Sequence, residues 1–136
     1  MPIAHAPPLT LMDSIGPALG ALVFVLAMSQ VKEPARRTLN ALLAAGASGV
    51  YLSGGFGVGE LVFPLLALPV LWRALGSYRY IGIAWLMHAA WDVAHHFWGH
   101  PIWPFMATSS WGCLIFDSLI AIWFLRGAPT IAGRRT

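Results

Sequence analysis

Residues 14–31 run from Ser14 to Val31 without one charged side chain. A helix needs about 20 apolar residues, roughly 17–25, to cross the hydrocarbon of a bilayer, so this run is long enough to span one. Charge is scarce elsewhere as well. Of the 136 residues, 58% are hydrophobic and 10% are charged, and the mean hydropathy is +0.71. A soluble domain carries roughly 25% charged residues, too many for this chain to match with a water-facing surface all round. Disorder is excluded by the same numbers, since it needs low hydrophobicity and high charge. The chain therefore reads as an integral membrane protein.

Apolar runs and polar breaks then set the expected architecture. It is all-α, a single transmembrane helical domain over 1–136, with five spans at roughly 14–31, 38–53, 59–75, 80–98 and 110–126. Pro17 suits the first turn of the first span. Ala and Gly in the second (ALLAAGASG) favour close helix packing. Four glycines in residues 53–59 (SGGFGVG) predict a turn or an unwound segment. Pro64 and Pro69 predict kinks in the short third span, for which a re-entrant segment is the alternative. The arm before Leu11 carries no Lys or Arg and no small-x-small site follows the first span, so that span is expected to stay in the mature chain.

The basic residues test this count. Lys32, Arg36 and Arg37 fall in the first loop, Arg73 and Arg79 in the third, and Arg126, Arg134 and Arg135 at the end. Five spans put all three groups on one side, cytoplasmic by the positive-inside rule, with the N-terminus outside. They are too few and scattered for a phosphate-binding stripe, so a net charge of +3 does not point to nucleic acid.

Titratable groups inside a bilayer are costly and usually functional. The fourth span carries His88, Asp92, His95 and His96, with His100 just beyond. At about 100° per residue, Asp92 lies about 40° from His88, His95 about 20° to the other side, and His96 about 80° away at the edge of the face. Trp85, Leu86, Ala89, Ala90, Val93 and Phe97 are assigned to the opposite surface. His88 is expected roughly 15 Å deep, Asp92 roughly 9 Å and Asp117 roughly 10 Å, and Glu60 opens the third span on the same outer side. Glu60, Asp92 and Asp117 are thus expected to meet the histidines in the outer half of the bundle.

Such a group suits a divalent metal, Zn or Fe. His88-x3-Asp92 and Asp92-x2-His95 have the spacing with which one helix offers two ligands to one ion. The expected metal set is His88, Asp92, His95, His96, Glu60 and Asp117. A proton relay without metal and a structural polar seam are the alternatives. Taken singly, Glu60 also fits a helix start, and Asp13 fits a helix-end charge. Cys113 is a soft ligand or a small hydrophobe, Thr108, Ser109 and Ser110 are helix caps, and Ser53 is ambiguous. The seven Trp residues read as interface anchors, with Trp91 and Trp111 as candidate pocket walls. The Gly-rich segment lacks the Lys and Ser/Thr of a phosphate loop.

The stretches YLSGG (51–55), SYRYIGIAWLMHAAWDVAHH (77–96) and PFMATSSWGCLIFDSLIAIW (104–123) resemble an uncharacterised family of small bacterial integral membrane proteins, a domain of unknown function. That resemblance implies a bacterial membrane protein and no particular activity, and the expected location is the bacterial inner membrane, crossed several times. His88-x3-Asp92-x2-His95-His96 also looks like a compressed form of the histidine boxes of membrane desaturases and hydroxylases. Those enzymes use several boxes. This chain has one, with Asp at a box position, which favours one metal over a di-iron centre.

The leading expectation is metal-assisted chemistry, hydrolytic, on a lipid or other apolar small molecule. Asp92 or Asp117 would serve as ligand or general base, and a metal-bound water would be the nucleophile. A small proton-coupled or metal-ion transporter, with self-association to complete a path, and an accessory subunit of a membrane complex are the alternatives.

Overall fold

A computed structural model describes residues 6–131, apart from the Ser53 side chain. Arg134 and Arg135, expected to mark the cytoplasmic end, lie outside the described residues. Five α-helices follow in order: α1 Met12–Ser29, α2 Ala35–Ala47, α3 Val62–Ala74, α4 Tyr78–Trp98 and α5 Ser109–Leu125. Two 3-10 turns, Val50–Ser53 and Gly57–Leu61, join α2 to α3. Among the described residues there is no strand.

The helices fall close to the expected spans, with two physical differences. First, α1 starts at Met12, because Asp13 accepts hydrogen bonds at 2.7 Å from both the backbone N–H and the hydroxyl of Thr10. This Thr-x-x-Asp arrangement satisfies donors at the helix entry. Pro17 consequently lies inside α1, past the first turn. Second, α2 ends at Ala47, and the chain tightens into 3-10 geometry before the glycines. The Gly-rich segment is therefore irregular, as expected. Gly55 has φ +100°, and a Cβ on it would sit 2.6 Å from the His100 backbone nitrogen. Only glycine permits this approach to the end of α4.

α4 is the central element, packed on α5, α3 and α2, while α1 packs on α5. Small residues hold the seams. Ala44, Ala67, Ala74, Ala84 and Ala121 are fully buried, and a Cβ on Gly82 would lie 2.7 Å from Leu125 Cγ and 3.0 Å from its backbone nitrogen. Large apolar side chains point outward instead: Leu19, Val23, Leu65, Leu66 and Trp72 are all exposed, Trp72 by 76%. The interior holds Arg36, Asn40, Glu60, His88, Asp92, His95, His96 and Asp117. Apolar residues are buried with them, Ile81, Ile120, Trp123 and Phe124 among these, but so many enclosed titratable groups are unusual for a soluble core. Among the described residues, Met12–Ser29 and Gly57–Ala74 are long and apolar enough to cross a membrane.

The first loop, the third loop and the end of α5 meet at one end of the bundle. Arg36 donates to Val31 O (2.7 Å), Ala128 O (3.0 Å) and Thr130 Oγ1 (3.3 Å), and Arg37 donates to Leu75 O (3.1 Å). The three basic groups that the sequence assigned to one side thus include residues that touch one another's loops.

Candidate functional site

The polar face of α4 arises from spacing alone. Residues 88, 92 and 95 recur at i, i+4 and i+7, which returns them to one side of a helix. The partners come from elsewhere. Tyr51 is carried in by the first 3-10 turn, where the chain leaves α2. Its hydroxyl lies 2.8 Å from Asp92 Oδ1 and 3.2 Å from His88 O, both acceptors. Its ring sits between the imidazoles of His88 (5.7 Å) and His95 (5.3 Å), with Phe63 against its edge at 4.8 Å.

The six expected ligands enter one neighbourhood but pair off. His88 donates from Nδ1 to Ala84 O at 2.8 Å, and its Nε2 meets Ser48 Oγ at 3.2 Å. Both ring nitrogens are thereby occupied. His95 meets Glu60 through Nε2 at 3.2 Å and donates from Nδ1 to His100 O at 3.0 Å. Glu60 also accepts from Phe56 N (3.0 Å) and from Trp91 Nε1 (3.3 Å). This second pair is closed on every side. His96 stands apart, its ring against Phe97 and Trp111 and its Nδ1 without a partner.

Asp92 and Asp117 form the third grouping. Asp92 is fully buried and Asp117 nearly so, and their carboxyls lie within hydrogen-bonding reach of one another. Asp92 Oδ2 receives no donor from any described residue. A hydrogen bond between carboxyls exists only when one of them carries a proton, so Asp117 is a donor to Asp92 only in its protonated form. Two like charges at such a distance cannot both persist away from water.

This pair adjoins a cavity of about 630 Å³ bounded by α1, α2, α4, α5 and the loop before α5. Pro17, Val50, Trp85, Trp103, Met106 and Phe116 supply apolar wall, and Tyr51, His88, Cys113, Asp92 and Asp117 also line it. Asp13, bonded at 2.6 Å to the Thr108 hydroxyl, lines the end formed by the start of α1. The indole N–H of Trp85 has no acceptor among the described residues.

Several sequence expectations are redrawn here. Trp85, assigned to the surface opposite His88 and Asp92, lines the cavity with them, since a separation of seven residues is two turns and brings Trp85 back beside Asp92. Trp91 and Trp111, taken as pocket walls, instead bond Glu60 and Ser14. Sequence reasoning missed Tyr51 and Ser48 as partners. A lone Tyr ahead of a glycine run and a Ser at a helix end carry no spacing signal, so only the fold exposes them.

The metal expectation is answered by ligand arithmetic. An open catalytic zinc site uses three protein ligands. Among the described residues, no group of three or more His, Cys, Asp or Glu could hold a metal ion, because Glu60–His95 and Asp92–Asp117 are separate pairs and His88 is spent on Ser48 and Ala84. The donor set does not fit the metal centre expected from the sequence.

Residues 12–130 match a family of unknown function, DUF6010, and the chain belongs to that family. No curated protein and no solved structure matches the chain.

Proposed function

We propose that this member of a family without an assigned activity is a membrane-embedded five-helix bundle that admits an apolar small molecule to its cavity and exchanges a proton for that molecule's polar end at Asp92 and Asp117. It is a small proton-coupled carrier, oriented with the Arg36 end toward the cytoplasm. The membrane assignment is supported by the outward-facing leucines, the titratable groups enclosed between helices and the two helical stretches of spanning length. The exchange is supported by one observation above the others: a buried carboxyl with one oxygen lacking a protein donor, which shares the lining of an apolar cavity with a second carboxyl. A shared proton satisfies the pair when the cavity is empty, and a ligand donor satisfies it when the cavity is filled. Metal-dependent hydrolysis gains no support from the paired arrangement of its candidate ligands.

Proteoliposomes loaded with a pH-sensitive dye test this reading. Twelve-carbon amphiphiles with ammonium, hydroxyl, carboxylate or trimethylammonium heads serve as probes. At least one should move protons through the wild-type protein, faster than through protein-free vesicles and than through D117N. Identical traces for wild type, D117N and empty vesicles across all four probes would overturn it.

A further inference from the structure

We infer that the cavity is built for an amphiphile bearing a protonated amine, whose N–H groups bridge Asp92 and Asp117. This rests on the carrier reading above and names its substrate class.

The charge along the cavity is of one sign. Asp13 lines one end and Asp92 and Asp117 another part, while no Lys or Arg lines it among the described residues. A fatty acid or phosphate headgroup would enter without a cationic partner, and an unpaired anion in an apolar setting is strongly disfavoured. The walls are mainly apolar and include the aromatic rings of Tyr51, Trp85, Trp103 and Phe116, residue types whose ring faces attract a cation. At the carboxyl pair the chemical need is for a donor. Asp92 Oδ2 lacks one, and Tyr51 is already committed to Oδ1 of the same carboxyl. An ammonium supplies both the charge that two adjacent carboxylates require and the N–H that Oδ2 lacks. An alcohol supplies the donor without the charge, and a quaternary ammonium the charge without the donor. The exchange balances: one alkylammonium enters, one proton leaves the carboxyl pair, and the net charge of the site is unchanged.

Calorimetric titration of the protein in nanodiscs, corrected for uptake by empty nanodiscs, reads the selectivity. Dodecylamine should bind at least tenfold more tightly than dodecanol, dodecanoic acid or dodecyltrimethylammonium. That preference should vanish in D117N, whose folding is followed by circular dichroism. Should D117N fail to fold, the wild-type ranking decides alone. Equal affinity for dodecanol or for the quaternary ion overturns the amine inference and leaves the carrier reading standing. Binding of none of the four overturns both.

Discussion

Glu60–His95 and Asp92–Asp117 are two buried acid-containing pairs that share one face of α4, and they differ in how completely the protein satisfies them. In the first, His95 and Glu60 meet at 3.2 Å, and Phe56 N, Trp91 Nε1 and His100 O occupy the remaining positions. In the second, Tyr51 serves one oxygen of Asp92, and the other receives no donor from any described residue. The closed pair lies where the Gly-rich segment folds onto the end of α4. The open pair lies on a cavity. Similar residue types thus form a closed pair in one place and an open one in the other, and the number of donors supplied by the fold decides which.

Substitutions that treat the pairs unequally can break that contrast. The largest effect is expected for Glu60→Ala. It strips Phe56 N and Trp91 Nε1 of their acceptor and His95 Nε2 of its partner at once, and breaking a buried pair costs about 3–5 kcal/mol. SDS unfolding followed by circular dichroism reads the loss, and a change under 1 kcal/mol would mean that the closed pair is not a lock. Gly55→Ala comes next, at about 3 kcal/mol, since it combines a left-handed backbone with a clash against His100 N. Gly57→Ala shares the positive φ but has open space around its Cβ, so about 1 kcal/mol is expected. Equal costs for the two glycines would show that the close approach at His100 contributes nothing. The smallest effect on stability is expected for Asp117→Asn, within about 1 kcal/mol, because the amide donates to Asp92 in place of the shared proton. The same variant should abolish proton exchange. A destabilisation matching that of Glu60→Ala would erase the distinction between the pairs.

Much of this molecule is legible in its sequence. The apolar runs locate the five helices, while α2 begins at Ala35 and α4 at Tyr78, inside the polar breaks at Lys32–Arg37 and Arg73–Tyr80. The unwound stretch follows from its glycines. The gathering of Glu60, His95, Asp92 and Asp117 in one region was readable from helical spacing and from equal height along neighbouring helices. Trp85 was readable in principle, because two full turns bring it back beside Asp92.

What the chain determined by itself is therefore its periodic part, the helix positions and the face of α4 on which the titratable groups fall, because both follow from the fixed rise and rotation of an α-helix. Only the tertiary structure decided the pairing. A hydrogen bond is made or lost over a few tenths of an ångström, and the groups that complete or fail to complete each pair (Tyr51, Ser48, Phe56 N, His100 O) arrive from turns whose path depends on packing. Six candidate ligands in one region thus became one closed pair, one open pair and two separate histidines, a division that spacing along the chain does not encode.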